Sequence, residues 1–526
     1  MPYDAIPRFK NKAAKPVGAR RESLDVVVIG SGPVGLTLAL DLARKGHAVT
    51  VLTAFDFIPH GSKAICFAKQ SLDIFDRLGV GDRVREKGVS WNVGKLFWQD
   101  RKEPIYEFDL LPLKGQRNPA FVNIQQYYVE DYLIDALEAL DHVDIRWGHA
   151  VQDVAIAGGR ARLSVVADGD DYEIDAGFAL ACDGHRSPTR EALGLDFSGR
   201  IFEDNFLIAD IRFRGRDADG RPSERWFWFD PPFCKGGTAL LHKQPDDVWR
   251  CDFQLGWDVD RDAAVRPENV EPFIRGMFGA DVDFEPVWYS VYTFQCRRMD
   301  RFVHGPVVFL GDSAHLVSPF GARGANGGLA DADNLAWKVD LVLRGEAPRS
   351  LLNTYDEERI VAADDNIANS SRATDFMTPK GVGPQALRDG VLELAGAYPE
   401  ARPYINSGRL SAPTPYRQSS LSTPDRDEWT GGPPPGHPCP DAPLGEDWLL
   451  SRLGGAFRVV SFGGAAAAAP CETVEISDQS DVAARYGAGD GGVYLVRPDQ
   501  VVAARWKEPT PAEIDQALIR ARGGSP

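Results

Sequence analysis

The sequence predicts an α/β protein: a Rossmann-type dinucleotide-binding domain, an antiparallel β-sheet inserted into it, and a small α/β domain at the C-terminal end. Three observations predict this. An apolar strand pattern runs straight into the glycine fingerprint GSGPVG near the N-terminus; two later strand patterns stop at Asp183-Gly184 and at Gly311-Asp312; and aromatic-rich alternating stretches separate those two. At 526 residues the chain is too long for one hydrophobic core and suits two or three domains.

Residues 1–22 are basic but lack the apolar core of a signal peptide, so they read as a flexible tail, with a transit peptide as the alternative. Residues 23–195 form the first part of the nucleotide domain. Within them LDVVVIGSGPVGLTLALDLARKGHAVTVL is strand, turn, helix, strand: Leu24 to Ile29, Gly30-x-Gly32-x-x-Gly35, an apolar-periodic helix, then Ala48 to Leu52. Gly30 and Gly32 tighten the turn and let backbone approach a pyrophosphate, Gly35 permits close helix packing, and the helix N-terminus offers N–H groups to phosphate. An acid often follows such a fingerprint to hold a ribose; here the second strand ends in Thr53 and the nearest acid is Asp56, so that contact stays open. A further strand ends near Cys182, directly before Asp183.

Residues 196–290 carry ERWFWFDPPF and VWRCDFQLGW, which read as antiparallel strands of a second domain. Residues 291–375 return to the first domain, where HGPVVFLGDSAH delivers Asp312 at a strand end. Ligands in open α/β sheets bind outside the carboxyl ends of strands, so three such ends bearing glycine or aspartate point to one long ligand. For Asp183 or Asp312 alone, a helix N-cap is an equal reading. Leu329, Ala332, Leu335, Ala336, Val339, Val342 and Leu343 then predict a helix from about Ala325 or Asn326 with one apolar face. Residues 376–440 read as a helical segment and a linker ending in TGGPPPGHPCP. Residues 441–526 form the small domain, with strands in AFRVVSF, GVYLVRP and VVAARW and a closing helix PAEIDQALIRAR.

Composition excludes several functions. A net charge of -17 argues against nucleic acid and anionic membrane as partners. No apolar run approaches the roughly 20 residues of a spanning helix. Seven scattered cysteines without CxxC suggest neither a disulfide framework nor a zinc site, and fit a reducing cytoplasm. No HExxH or comparable histidine spacing suggests a metal.

GSGPVG, CDGHRSPTREALG and GDSAHLVSPFGARGANGGLADADNLAWK, in that order and spacing, resemble the three diagnostic motifs of the single-component FAD-dependent aromatic hydroxylases of the para-hydroxybenzoate hydroxylase type. The resemblance is to the phenol and 3-(3-hydroxyphenyl)propionate hydroxylase-like branch, and covers about residues 23–375. It implies FAD as cofactor and NAD(P)H and O2 as co-substrates, with an electrophilic hydroxyl passed from a flavin C4a-hydroperoxide to a phenolic ring. It implies a thioredoxin-like C-terminal domain. By position it places Gly30, Gly32 and Gly35 on the ADP half of FAD, Asp312 on the ribityl chain, Gln126 on the flavin chain, and Asp183 on the cofactor. Lys63 stands where an Arg is usual, a point charge in place of a fork. Pro319 would face the reactive edge, and the helix terminus at Gly324, Ala325 and Asn326 would stabilise the anionic pyrimidine of reduced flavin.

Candidates for the substrate pocket are His60, His242, Tyr292 and Gln295, with Arg297 as an anion partner and Trp226 and Trp228 as walls; packing roles are the alternative for each. WFWF invites comparison with the WxWxIP motif of flavin halogenases, but Asp230-Pro231 follows instead. An epoxidase or reductase of the same fold is the nearest enzymatic alternative, and a flavin-binding regulator or scaffold the non-enzymatic one. The C-terminal domain, lacking CxxC, is expected to serve packing or oligomer contact, a homodimer included.

Overall fold

Strand β1 (Arg21–Ile29) passes from half-exposed to buried at Val26, where it enters a parallel sheet. Its β-branched run suits a strand covered on both faces. Helix α1 (Pro33–Arg44) begins with proline, where no N–H is needed, and returns the chain to β2 (Val49–Thr53), buried throughout. Helix α2 (Gln126–Glu138) packs against α1, and β3 (Asp170–Ala181) pairs in parallel with β1. The structure, a computed structural model, describes residues 20–525 except 60, 62, 92, 110–112, 216–222, 406–411, 465–468 and 479. His60 and nearly all of the expected tail at 1–22 therefore lie outside the described residues.

The inserted sheet comprises β4 (Ser198–Phe213), β5 (Arg225–Phe229), β6 (Thr238–Lys243), β7 (Val248–Gly256) and β8 (Phe284–Arg298), with helix α3 (Pro267–Phe278) before β8. Its strand order is β8-β4-β7-β6-β5, antiparallel between neighbours. Beyond β5 the sheet continues with Val93–Trp98, parallel to β5, and Tyr106–Asp109. These two strands correct the expected boundary, which kept all of 23–195 in the nucleotide domain. Without them β5 would present an open edge of unpaired backbone groups. The outer face of the sheet packs Leu207, Ala209, Leu241 and Phe253 on Val270 and Ile274 of α3. The inner face, bearing Phe206, Leu240 and Phe294, looks toward the nucleotide domain.

Strand β9 (Val307–Phe309) rejoins the first sheet in parallel beside β3, giving the order β9-β3-β1-β2 and then Val143–Trp147. Helix α4 (Gly324–Leu343) packs on α1. It starts a residue earlier than expected and is buried all round from Gly327 to Val339, with Asp331, Asp333, Asn334 and Lys338 included. A single apolar face was expected; helix α5 (Asn353–Met377) and the C-terminal domain cover the other side. Trp337 of α4 meets Phe457 edge-on, with ring centroids 5.6 Å apart. Helix α6 (Val382–Ala397) adds Leu392 and Ala395 to the aromatic cluster of Phe206, Phe229, Phe294 and Phe320 at one end of the inner face.

The last domain holds β10 (Arg458–Phe462), β11 (Thr473–Ile476), β12 (Gly492–Val496) and β13 (Val502–Trp506) in the order β11-β10-β12-β13. The pair β10 and β11 is parallel and the other pairs are antiparallel. Helix α7 (Pro511–Ala521) closes it, its N-terminus held by a Thr510 and Glu513 capping box.

Candidate cofactor and substrate site

The glycines of the first turn divide by what surrounds them. Gly30 has φ +111°, donates its N–H to Leu52 O at 2.8 Å, and has no room for a side chain, since a Cβ would lie 2.4 Å from Cys182 O. At Gly35 a Cβ would lie 2.2 Å from Gly30 O, so helix and turn touch backbone to backbone. At Gly32 a Cβ would meet no protein atom within 4 Å. Gly32 thus borders open space at the N-terminus of α1, where first-turn N–H groups lack helical acceptors. Gly30→Ala is expected to destabilise the fold by about 3 kcal/mol or more through strain and clash, whereas Gly32→Ala should leave the melting temperature unchanged and weaken nucleotide binding. Thermal melting and flavin titration of the two variants separate these effects.

Thr53, at the end of β2, accepts a hydrogen bond from Ser31 Oγ at 2.8 Å. The residue standing where an acid was expected therefore ties the glycine turn to its neighbouring strand. Asp183 accepts from Thr189 N–H at 3.1 Å beside the Ser187 N-cap, as a capping residue would, while its Oδ1 is buried without a partner. Arg190 bonds His185 O at 2.8 Å and Ser313 O at 3.1 Å, fastening this loop to the Asp312 turn.

That turn is held from below by a residue the sequence reading missed. Asp331, fully buried on α4, accepts from Gly311 N–H at 2.9 Å and lies 2.6 Å from His315 Nε2, both at one oxygen. Its other oxygen takes Arg359 Nε at 2.6 Å; Arg359 also reaches Tyr416 Oη at 2.7 Å and Gly327 O at 3.1 Å. Asp312 itself is exposed, yet the protein around it raises its carboxyl by desolvation, against the opposing fields of His315, His185 and Lys63. Tyr292, 43% exposed, likewise has its hydroxyl raised by desolvation and then by Asp312. Exposure and desolvation coexist because both side chains stand in a cleft, open to solvent but walled by protein.

Lys63 is exposed at this cleft. Gln126 accepts from Ala64 N–H at 3.1 Å and donates to Glu130 at 2.8 Å, so its side chain is engaged within the protein. Burial pushes the Glu130 carboxyl up to about 8, opposed by Gln126 and Lys63. A carboxyl raised above its unfolded value of 4.5 costs nothing below that pH; the cost grows as pH rises toward 8, because only the unfolded chain ionises freely. Glu130→Gln should therefore match the wild type near pH 4 and exceed its stability by about 1–3 kcal/mol at pH 8, read from urea unfolding at the two pH values.

Pro319 is exposed ahead of Gly321 (φ +97°) and Ala322, a non-glycine at φ +53° whose N–H bonds Pro319 O at 3.0 Å. Gly324, Ala325 and Asn326 form the first turn of α4. The Asn326 side chain is wholly used in fixing that turn: it donates to Cys66 O at 2.9 Å and to Ala322 O, and accepts from Ala68 N–H at 2.8 Å and Ser71 Oγ at 2.6 Å. Only its backbone, with those of Gly324 and Ala325, is left to face a ligand.

The inner face of the inserted sheet alters the expected pocket. Tyr292 is on it, with Phe294 beyond. Gln295 and Arg297 are on the opposite face of β8, since neighbouring strand residues alternate. Arg297 is engaged there, donating to Phe197 O at 2.9 Å. Trp226 and Trp228 do share a face, with centroids 5.6 Å apart, but it is the outer one packed near α3. Arg225 and Phe227, their alternates, point inward. His242 is inward but 2% exposed, 3.3 Å from Asp252, and lowered to about 4 by burial and Arg225, so it is neutral at pH 7. Burial works to raise Asp252, but Arg250 and His242 hold it well below the usual range. The Nε of buried Arg225 has no hydrogen-bond partner.

Fold and site together define a dinucleotide-binding class of protein: three parallel strands end in glycine or aspartate at one edge of the first sheet, and the inserted sheet forms a second domain beside it. The open space at Gly32, the orphaned Asp183 Oδ1, the Asp312 carboxylate in its cleft and the helix terminus at Gly324 fit FAD. A family model described as "FAD binding domain" matches residues 23–370. The chain is 28% identical over 434 residues to a "3-(3-hydroxy-phenyl)propionate/3-hydroxycinnamic acid hydroxylase" of Mycolicibacterium gilvum, covering 82% of this chain and 72% of that one. It is 31% identical over 353 residues to a "Probable NADH-specific resorcinol 4-hydroxylase" of Rhodococcus jostii, covering 66% and 64%. Its fold matches that of the flavin-dependent monooxygenase PieE, solved with FAD and substrate, at TM-score 0.79 and 20% identity over 95% of this chain and 99% of that one. The chain belongs to the FAD-binding-domain family of flavoprotein aromatic hydroxylases. It is an FAD-dependent monooxygenase that uses NAD(P)H and O2 on a small aromatic substrate.

Proposed function

We propose that the substrate is a phenol, bound between the inner face of the inserted sheet and the cleft at Pro319. The observation that carries this is the division of that face. Phe206, Phe294 and Phe320 form an aromatic wall next to Pro319, with centroids 4.7 Å (Phe206 to Phe294) and 5.1 Å (Phe294 to Phe320) apart. Arg225, Arg250, His242 and Asp252 form a polar cluster at the other end, where Arg225 Nε would meet an oxygen substituent of the ring. FAD, when bound and reduced by NAD(P)H, supplies oxygen activation. The aromatic wall orients the ring and excludes water, and Tyr292, beside Asp312, is the hydroxyl placed to hold a proton near the reacting edge.

The order β11-β10-β12-β13, with its parallel first pair, antiparallel hairpin and closing helix, supports a thioredoxin-like reading of the C-terminal domain. Cys439 and Cys471 are free and no CxxC is present, so its proposed role is structural. No helix among the described residues is long and apolar enough to cross a membrane, and all seven cysteines are unpaired, which supports a cytoplasmic setting.

The test is NADH and NADPH oxidation by yellow holoenzyme across a panel of phenols, with product mass. A phenol should accelerate oxidation and emerge with one added oxygen. Acceleration without an oxygenated product would favour a reductase, oxygen added across a double bond an epoxidase, and no response to any phenol would remove the hydroxylase reading in favour of a flavin-binding regulator.

A further inference from the structure

An apolar cavity of about 560 Å³ lies between the end of α5, helix α6 and the 3-10 turn Pro399–Tyr404, behind the aromatic cluster at one end of the inner face. Phe376, Leu387, Val391, Leu394 and Tyr404 line it together with Arg388. Its size is that of a small-molecule site. Leu387 and Tyr404 are 70% and 78% exposed, so among the described residues nothing covers these two apolar side chains. Arg388, by contrast, is among the most buried side chains of the protein. One oxygen of Asp389 takes its Nε at 3.0 Å and lies 2.9 Å from Nη2, while Nη1 is buried with no hydrogen-bond partner. A buried guanidinium nitrogen without an acceptor is costly, and its two N–H groups suit an oxygen carried in by a ligand.

We propose that this cavity is a second ligand site, for an aromatic carboxylate whose ring packs on Phe376 and Leu387 and whose carboxylate accepts from Arg388 Nη1. Arg388 lies 5.9 Å over the ring of Phe229, and Phe229 meets Phe376 edge-on at 5.7 Å. Phe229 and Phe376 also belong to the aromatic cluster that reaches Phe206, Phe294 and Phe320. The cavity therefore shares a wall with the substrate face without opening on the residues that flank Asp312. In a protein of net charge -17 an organic anion needs such a local cation to be held at all.

The probe is 3-phenylpropionate, which has ring and carboxylate but no ring hydroxyl, titrated calorimetrically into FAD-loaded full-length protein while the flavin absorbance is followed. The expected result is a binding event that leaves the flavin spectrum unchanged. Arg388→Gln should weaken it about tenfold or more, and 3-phenylpropionamide should bind the wild type about tenfold less well than the acid but bind Arg388→Gln as well as the acid does. Leu387→Glu, on the exposed wall, should weaken the acid similarly and keeps the test usable if Arg388→Gln does not fold. Equal binding of the acid to Leu387→Glu and wild type, or binding seen only together with a flavin spectral change, would overturn the proposal; the latter places the acid at the flavin face.

Discussion

An Asp312→Ala variant is expected to fold normally and to bind FAD about 10- to 100-fold more weakly than the wild type. The magnitude follows from the 1.5–3 kcal/mol typical of a hydrogen bond to a charged group. The fold should survive because Asp312 is exposed and the turn that carries it is held by other groups: Gly311 N–H by Asp331, and Ser313 O by Arg190. Desolvation already raises this carboxylate, so hydroxyl donors of a bound ligand would stabilise it more than water at an open surface could. Flavin fluorescence titration of the apoprotein measures the loss, and circular dichroism melting shows whether the fold is intact. Normal flavin content in this variant would show that Asp312 does not touch the cofactor.

Glu358→Ala should destabilise the protein by about 3–5 kcal/mol, the usual consequence of leaving buried cations without their anion. Glu358 of α5 is fully enclosed. It accepts from Lys338 Nζ at 2.8 Å, from Arg497 Nη2 at 2.9 Å and from Arg497 Nη1, from Asn334 Nδ2 at 2.7 Å and from Ser419 Oγ at 2.5 Å. Those groups come from α4, the linker and the C-terminal domain, so the carboxylate joins three parts of the chain. Burial would raise its pKa, but Arg497 and Lys338 hold it well below the ordinary value of 4.5. A depressed carboxyl contributes stability above its unfolded value and loses it as pH falls through the folded one. The difference between Glu358→Ala and wild type should accordingly be full at pH 7 and shrink below about pH 4. Urea unfolding measures the difference, and limited proteolysis should show earlier cleavage between residues 376 and 440. An unchanged midpoint would mean that the C-terminal domain is anchored by its apolar contacts alone.

Much of the local geometry of the candidate cofactor site was legible in the sequence because it depends on local chemistry. Gly30 needs a positive φ wherever that turn occurs, α1 needs its proline and glycines at its start, and a strand end followed by Gly311-Asp312 brings an acid to a sheet edge in any packing. The pocket was less legible. Tyr292, Gln295 and Arg297 look equivalent in VYTFQCRR, but strand alternation sends the latter two to the other face. The paired tryptophans of WFWF were read correctly as sharing a face, and nothing local says that it is the face against α3. The signal that could have found Asp331 was present: two acids and an amide inside an otherwise apolar helix, at Asp331, Asp333 and Asn334, announce buried partners. Those partners are Arg359, 28 residues downstream of Asp331, Arg77, 256 residues upstream of Asp333, and Glu358, 24 residues downstream of Asn334, so spacing could not supply them.

By itself the sequence determined the glycine turn, the three strand ends bearing glycine or aspartate and the strands of the inserted sheet, because each rests on backbone conformation or periodicity within some thirty residues; the flavin-dependent class came instead from the resemblance of three motifs to a known family. The tertiary structure alone decided which face of the sheet packs on α3 and which looks toward the nucleotide domain, that Thr53 ties down the turn through Ser31, that α4 is buried all round, and that Arg388 stands at an apolar cavity. Those are properties of partners far apart in the chain. Whether a side chain is a ligand contact or a packed core residue depends on what the fold sets against it, which is settled only when separate elements share one desolvated volume.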